Sequence, residues 1–487
     1  MRLGRRRGRV LVAGAVIASL GVASMLVLRA GGKPAAGLVV FTQVPAGAAD
    51  TPGGNGSAQR YPAGSRIVSL DPLEPDQGVR VLTEDFHSAR APALSPDGKR
   101  MVFSGQWRDG GPWQIWEMEL ERGRTRPITP DEGSTDPAYL ADGSIVFSAP
   151  AADRTTEARH ALYTVGPEGG DPMRVTFHPG LDFAPTVLRD GRLLFVIRES
   201  LASPVSRLLT MRSDGTAAEL FYQSRGGGRQ SGRAWETPDD RVVFVESADS
   251  DAPDGRLIAV SEHRPLHSRI DLGSGIGGAF HSVFPLSSDE YVVSYRPPGD
   301  DRYGLHAFDP IGGRLEPILD PDPGYDSVEP VVAVARRPPK SFVSVIDLQR
   351  DTGELYCLDA DLSDLPVDGP PGSSASSASL RIRSAMGTLG EVPLEEDGSF
   401  YIEVPADTPV RLETVDAAGR VVRGPSAWIW VRPNERRGCI GCHEDRELAP
   451  ENRVPLAVEK PPVPLSWMTS SAPAARHDAH ESSEVGR

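Results

Sequence analysis

A repeated strand–turn–strand pattern constrains the fold of this chain more than any other feature. Each copy has an apolar strand, a turn carrying Asp, Gly or Ser, and a second strand rich in β-branched and aromatic residues. The copies occupy 91–105, 136–149, 184–198, 232–246 and 282–296. Their turns lie 45 to 49 residues apart, at Asp97, Asp142, Asp190, Asp239 and Ser288. Since another strand with its own turn follows each hairpin, the pattern predicts the four-stranded blades of a β-propeller. An open array of β-sandwiches is the alternative.

The two ends of the repeat region supply one further unit. Residues 327–336 form an apolar inner strand, and we expect 37–43, 65–71 and 79–83 to form the outer strands. Closing a ring with strands from both ends removes exposed sheet edges. Six blades is the count that fits best, and seven is the alternative. The S-P-D-G turn at 95–98 resembles the repeats of Tol-type periplasmic propellers.

The composition agrees with an all-β chain. The 487 residues include 51 Gly and 45 Pro but only 6% aromatic residues, which favours short strands joined by turns over long helices. The net charge of −15 argues against a nucleic-acid partner, because binding to phosphates needs a basic face.

The N-terminal segment predicts export. An apolar run at 10–28 follows a basic cluster of Arg2, Arg5, Arg6, Arg7 and Arg9. By the positive-inside rule the cluster stays in the cytoplasm, so the rest of the chain lies on the periplasmic side of a bacterial inner membrane. The run is long enough to span a bilayer. An uncleaved inner-membrane anchor and a cleaved signal peptide both remain open.

The segment R-R-G-C-I-G-C-H at 436–443 carries the chemistry. In a C-x-x-C-H motif two thiols add to the two haem vinyl groups, and the adjacent His ligates the iron. We therefore predict one covalent haem c attached to Cys439 and Cys442, with His443 as the iron ligand. A zinc knuckle would usually need a second Cys/His pair, a thioredoxin-like pair needs a βαβ context, and a disulfide within the motif would be strained.

The ligand opposite His443 must come from elsewhere in the chain. Met468, His477 and His480 lie downstream, but both histidines belong to a polar tail. We therefore expect no strong sixth ligand. Three arginines near the motif are the expected partners of the haem propionates: Arg436, Arg437 and Arg453. In the repeat region, a ring of His and carboxylate side chains is a candidate metal or ligand site, with polar loop caps as the alternative. Its members are His87, His178, His281, Asp136, Asp182 and Asp326.

Three segments carry a family resemblance: 326–339, 390–400 and above all 428–453. Through them, residues 38–465 resemble the hydrazine synthase alpha-subunit-like family, in which a propeller precedes a middle domain with a c-type haem. In that family the motif His turns to a zinc ion, and a Tyr one turn later holds the iron. Here that position is Glu447, no Tyr follows Tyr401, and the sequence holds a single C-x-x-C-H. The resemblance therefore implies a haem domain with ordinary His443 ligation, and it does not extend to hydrazine synthesis.

These patterns divide the chain into five parts: a signal or membrane anchor (1–33), a six-bladed β-propeller (34–339), a small immunoglobulin-like β-sandwich (340–432), a c-type haem segment (433–465) and a disordered tail (466–487). They predict an exported redox protein that transfers electrons or performs small-molecule chemistry at the haem, with a redox partner protein. Whether it is an enzyme is left open. The alternative is a non-enzymatic envelope interaction or sensory module with a structural haem.

Overall fold

The computed structural model describes the following residues: 29–30, 33–34, 37–48, 62–130, 133–151, 160–199, 206–224, 228–230, 232–247, 255–362, 377–424, 427–441 and 453–465. This part of the chain is all-β, and its helical elements are two 3-10 turns, Pro75–Gln77 and Leu456–Glu459. None of its helices is long and apolar enough to cross a membrane. The expected apolar run at 10–28 lies outside the described residues. Directly after it, Arg29–Ala30 pairs with Lys33–Pro34.

The repeats fold into successive four-stranded antiparallel units, as predicted. Unit 1 consists of Ser88–Leu94, Arg100–Gln106, Gln114–Glu119 and Arg124–Pro127. Unit 2 consists of Thr135–Tyr139, Ile145–Pro150, His160–Val165 and Met173–Arg174. Unit 3 consists of Leu181–Val187, Leu193–Arg198, Ser206–Met211 and Glu219–Gln223.

The next two units follow the same path, although unit 4 contains five strands. In unit 4 two short strands, Arg229–Gln230 and Trp235–Glu236, share the partner Arg241–Ser247, and Arg256–Ser261 and Ile270–Asp271 follow. Unit 5 consists of Ala279–Pro285, Tyr291–Arg296, Gly304–Asp309 and Arg314–Leu319.

Unit 6 joins the two ends of the region. Its inner strand Tyr325–Val332 pairs with Val39–Pro45, which pairs with Arg66–Leu70 and then Arg80–Val81. The predicted closure by both ends is confirmed. Among the described residues, these six units contain every strand between Val39 and Val332. The fold of this region is a β-propeller.

A repeated serine joins neighbouring units. Ser104 of unit 1 accepts a hydrogen bond from the backbone of Asp136 in unit 2 at 2.9 Å. Ser148 of unit 2 donates to the carbonyl of Asp182 in unit 3, and Ser294 of unit 5 donates to that of Ser327 in unit 6, both at 2.6 Å. Each serine lies in the second strand of its unit, so the bonds fix the inner strand of the next unit. All three serines are buried, where an unpaired backbone group would be costly.

The chain then crosses from the propeller to a second body without forming a strand. The backbone of Arg336 donates to Pro96 in a turn of unit 1, and that of Lys340 donates to Arg189 in a turn of unit 3. Ser344 donates to Asp214 at 2.7 Å. The first strand after the propeller is Thr352–Cys357.

The second body is a sandwich of two four-stranded sheets. The first sheet contains Arg436–Cys439, Thr352–Cys357, Phe400–Pro405 and Val463–Pro464 in that spatial order. The second contains Gly387–Pro393, Ser379–Ser384, Val410–Val415 and Val421–Arg423. Apolar side chains from both sheets form one core, including Leu355 and Ile402 from the first and Ile382 from the second.

The first sheet continues past residue 432, the expected end of the sandwich. Strand Arg436–Cys439 pairs in parallel with Thr352–Cys357, and Val463–Pro464 pairs in parallel with Phe400–Pro405. The described parts of 433–465 therefore form the two edges of the first sheet. Short edge strands that carry Arg, Gly and Pro show little of the alternation by which a strand is recognised in sequence. The first sheet is therefore mixed, with parallel and antiparallel strand pairs.

Candidate functional site

Cys439, the first cysteine of the motif, is the last residue of edge strand Arg436–Cys439. In the parallel register it lies beside Cys357 on the neighbouring strand. Cys357 is fully buried, and the half-buried Cys439 packs against the same core cluster. The sheet thus holds the first cysteine of the motif at the end of the sandwich core. Cys442 and His443 lie outside the described residues, as do Met468, His477 and His480.

The spacer of the motif is fixed by the turn that follows Cys357. The backbone N–H of Leu358 donates to the carbonyl of Cys439 at 3.1 Å, and that of Asp359 donates to Ile440 at 3.2 Å. A Cβ at Gly441 would overlap the backbone carbonyl oxygen of Leu362. The second spacer position therefore requires glycine, because any side chain would push the motif away from the turn.

Residues in this strand and just before it form hydrogen bonds with unit 3 of the propeller. The Glu435 side chain accepts a 2.7 Å hydrogen bond from the backbone of Ala217, and Arg437 donates to the carbonyl of Ala218. Trp430, fully buried, donates through Nε1 to the carbonyl of Gly215 at 3.2 Å. The C-x-x-C-H motif therefore starts from a strand that is fixed to both the sandwich and the propeller.

Buried charge accompanies this junction. The Arg432 side chain is only 2% exposed, and it lies 3.4 Å from Asp407 and donates to the carbonyl of Arg174 at 3.0 Å. Burial lowers the pKa of Arg432 and raises the pKa of Glu435. Truncating either side of such a network is costly, because the remaining charge stays buried without its partner.

The outer face of the first sheet carries an aromatic and charged cluster. Arg436 lies over the rings of Tyr356 and Tyr401, at 5.4 and 5.1 Å from their centroids, and 3.6 Å from Glu354. Tyr401 donates a hydrogen bond to Glu354. Burial and this bond raise the pKa of Tyr401 to about 12. Gly438 leaves room for the Tyr356 ring, which a Cβ would overlap. The cluster covers the strand just before the motif.

The three arginines expected to hold haem propionates have separate surroundings. Arg436 belongs to the cluster above, and its side chain is 55% exposed. Arg437 is used at the propeller junction, where it also donates to Trp430. Arg453 donates to the carbonyls of Leu358 and Asp397. Arg453 thereby brings the chain back after the motif to the turn that holds the motif's spacer.

The His and carboxylate side chains of the propeller that were predicted as a ring contact different partners. Asp136 and Asp326 accept backbone hydrogen bonds from Ala184 and Tyr303. His178 and Asp182 form a buried pair at 3.5 Å, and burial raises the pKa of Asp182 to about 7. His87 and His281 contact other partners: His87 lies 3.3 Å from Asp109, and His281 packs on the Tyr303 ring.

One acidic group of the described residues has its ligand atoms within metal-binding distance of one another: Glu236, Asp240 and Glu262. None of its members was predicted. Arg189 pairs with Glu236 and Asp240, at 2.7 and 2.6 Å, and Arg192 pairs with Glu262 at 2.7 Å. These arginines make the group a salt-bridge network.

Arg233, which was not among the predicted residues, connects units on different sides of the propeller. Arg233 of unit 4 donates to the carbonyl of Pro92 in unit 1 at 2.9 Å and to that of Pro137 in unit 2 at 2.6 Å. Its side chain therefore reaches across the ring. The sequence does distinguish Arg233 from the matching positions of other units. The inner strands of units 1, 2, 3 and 6 each contain a dipeptide that ends in proline, whereas unit 4 has Arg233–Ala234 at that position.

Comparisons with known proteins agree with this architecture. Residues 350–444 match the family model of the hydrazine synthase alpha subunit middle domain. The hydrazine synthase subunit alpha of Kuenenia stuttgartiensis is 25% identical, over 83% of this chain and 65% of its own length. This chain thus spans slightly less than two thirds of that relative. A TolB homolog from Chlorobium luteolum is 26% identical over 28% of this chain and 29% of its own length.

A solved structure shows the same fold. The structure of Kuenenia stuttgartiensis hydrazine synthase superposes with a TM-score of 0.75 at 22% identity, covering 87% of this chain and 71% of that one. The resemblance to the hydrazine synthase alpha-subunit-like family and to Tol-type propellers is confirmed. The matched middle domain contains the first sheet's strands at 352–357, 400–405 and 436–439 and runs through the C-x-x-C-H motif.

Proposed function

We propose that this relative of the hydrazine synthase alpha subunits is an exported c-type haem protein with a redox function. One haem is attached through Cys439 and Cys442, and His443 ligates its iron. The observation that carries the proposal is the match of residues 350–444 to a hydrazine synthase middle domain, which ends one residue beyond the C-x-x-C-H motif. A bound haem supplies an iron centre that accepts and donates single electrons.

The described part of the site fits a covalent haem. Cys439 is half-buried at the end of an edge strand and packs against an apolar core. The flat face of a haem favours such apolar surroundings, and burial beside charged groups tunes the reduction potential. The hydrogen bonds to Cys439 and Ile440 hold the motif's backbone in place beside this core.

This chain's own residues position the haem segment. Arg437, Glu435 and Trp430 fix the strand to unit 3 of the propeller, so the haem belongs beside the propeller and the propeller limits access to it. We assign Arg436 as the propionate partner, because its side chain is half exposed and adjoins the motif. Electron transfer or small-molecule chemistry at the iron is the function that these features support.

Export and a partner protein are part of the same proposal. The basic cluster and apolar run of residues 1–33 support insertion into the inner membrane with the remainder in the periplasm, where haem c is attached. The relative's name calls it a subunit. We therefore propose that this chain also works with a protein partner that exchanges electrons with it.

The test is covalent haem staining. The full chain would be produced in a bacterium with a haem c attachment system, separated on a denaturing gel, and stained for haem peroxidase activity. We expect strong staining of the parent chain, reduced staining of Cys439→Ala and of Cys442→Ala, and none of the double variant. Cys357→Ala is the matched control, because it removes a cysteine from the neighbouring strand, and its staining should persist. Full staining of the double variant would refute the haem assignment.

A further inference from the structure

The third cysteine of the chain lies beside the first cysteine of the motif. Cys357 and Cys439 end two neighbouring parallel strands and are register partners. They are 82 residues apart in sequence, so only the fold brings them together. Cys357 is fully buried in the sandwich core, and Cys439 packs against that core. Both sulfurs therefore lie on the inner side of the same sheet.

No disulfide joins the two cysteines in this structure, but their strand register places their Cα atoms at a spacing that a disulfide can span. Neighbouring strands lie about 4.8 Å apart, and the Cα atoms of disulfide-bonded cysteines lie about 4.4 to 6.8 Å apart. Hydrogen bonds fix this register at both ends of the strand pair. Glu354 donates to Glu435 at 2.8 Å before the pair, and Leu358 donates to Cys439 at 3.1 Å after it.

We propose that Cys357 and Cys439 form a disulfide in the haem-free protein. Through this bond, Cys357 controls whether Cys439 is available as a thiol for haem attachment. The two thiols lose two protons and two electrons, and one S–S bond forms between them. The electrons and protons pass to a disulfide of an oxidising protein or small molecule, whose S–S bond is broken and which is released as two thiols. Such disulfides are supplied in the periplasm, where the chain is proposed to fold.

The disulfide has a direct consequence for haem attachment, and this consequence rests on the proposed function. Haem addition needs Cys439 as a thiol, so the oxidised chain cannot form its first thioether bond. A thiol reductant restores both thiols by exchange. Attachment at Cys439 then leaves Cys357 as a buried thiol beside the thioether. The disulfide thus forms first, is then reduced, and only afterwards does haem attach to Cys439. Cys357, which lies outside the C-x-x-C-H motif, sets this order.

Peptide mapping of the haem-free chain tests the disulfide independently of haem. The full chain would be exported in a host that lacks haem c attachment, treated with iodoacetamide without reductant, and digested with trypsin. The peptides of interest are 351–381, which contains Cys357, and 438–446, which contains Cys439 and Cys442. We expect a mass equal to the two peptides joined, and its loss after reduction. The joined peptides should also be found in Cys442→Ser, at a mass lowered by the substitution and by the loss of the alkylated Cys442, because Cys439 is then the only thiol of its peptide.

Two results would overturn the proposal. In the first, both cysteines of Cys442→Ser are alkylated without prior reduction. In the second, the parent chain contains the joined peptides but Cys442→Ser contains none, because Cys442 was then the partner of Cys357. Either result leaves the haem assignment standing if the parent chain stains for haem in an attachment-competent host. Absent haem staining of Cys357→Ala, which cannot form the disulfide, would instead refute the proposed function and leave the disulfide of the parent chain standing.

Discussion

Arg90 and Glu329 form a 2.8 Å ion pair at the junction where the propeller ring closes. Arg90 belongs to unit 1, and Glu329 belongs to the inner strand of unit 6. The Glu329 carboxylate also accepts hydrogen bonds from Thr42 of unit 6 at 2.8 Å and from the backbone of Ala91 at 2.9 Å. One carboxylate thus joins the first repeat, the last repeat and the N-terminal strand. Ring closure depends on a charged contact as well as on strand pairing.

This contact predicts a loss of stability in acid. Although burial alone would raise it, the ion pair with Arg90 and the hydrogen bonds lower the pKa of Glu329 from 4.5 to about 2. The unfolded chain therefore binds the proton more readily, and the contribution to stability is present above about pH 4.5 and is lost as the pH falls towards 2. The shift corresponds to about 3 kcal/mol. Chemical denaturation at several pH values measures it.

Glu329→Gln separates this effect from general acid denaturation. The variant should be less stable than the parent at pH 7, and its free energy of unfolding should change less between pH 5 and pH 3. Glu316→Gln is the control, because Glu316 is exposed on the outer strand of unit 5 and its replacement should leave the pH profile intact. An unchanged pH profile in Glu329→Gln would contradict the assignment of the acid-sensitive step to ring closure.

Arg233 predicts a second effect on the ring. Arg233→Met keeps the apolar stem but removes the donors to Pro92 and Pro137, so two half-buried contacts across the ring are lost. We expect a decrease of about 1–3 kcal/mol in the free energy of unfolding, measured by urea denaturation. Arg122→Met is the control, because Arg122 makes an exposed contact with Glu119 and should cost less than about 1 kcal/mol. Equal stabilities of the two variants would contradict a bracing role for Arg233.

The repeats made the propeller predictable from sequence. Each turn carries its own signal, since Asp97, Asp142 and Asp190 accept a hydrogen bond from the backbone two residues later. Such turns position hairpins locally and need no tertiary information. Closure by both ends was predictable too, because a lone apolar inner strand at 327–336 needs partners and only the N-terminal strands remained.

The position of the haem motif was not predictable in the same way. Its strand is short, and its pairing with Thr352–Cys357 is parallel and long-range, so neither residue alternation nor a hairpin turn marks it. The proximity of Cys357 to Cys439 follows from this pairing alone. Arg233 was missed for a related reason. Its partners are proline carbonyls of distant units, and every residue has a backbone carbonyl, so the residue types do not show which ones accept a hydrogen bond.

Gly441 predicts that the spacer of the motif controls haem attachment. In Gly441→Ala the new methyl group would overlap the carbonyl oxygen of Leu362, which belongs to the backbone and cannot rotate away. We expect weaker haem staining of the folded protein and faster proteolysis near the motif. Gly232→Ala is the control, since a Cβ there meets nothing within 4 Å, and it should behave like the parent. Normal attachment in Gly441→Ala would show that the spacer is not held against this turn.

We expect that no residue of the tail ligates the iron opposite His443. Truncation after Leu465 removes Met468, His477 and His480 but keeps the sandwich edge, because Leu465 donates its backbone N–H to Glu403 at 2.8 Å and packs against the core. Truncation one residue earlier would lose that contact, so Leu465 is the better end point. If no tail residue ligates the iron, the truncated and full-length proteins should have the same ferrous spectrum, and both should bind carbon monoxide. A full-length protein with a six-coordinate low-spin spectrum that does not bind carbon monoxide would show that a sixth ligand exists, and a changed spectrum after truncation would place that ligand in the tail.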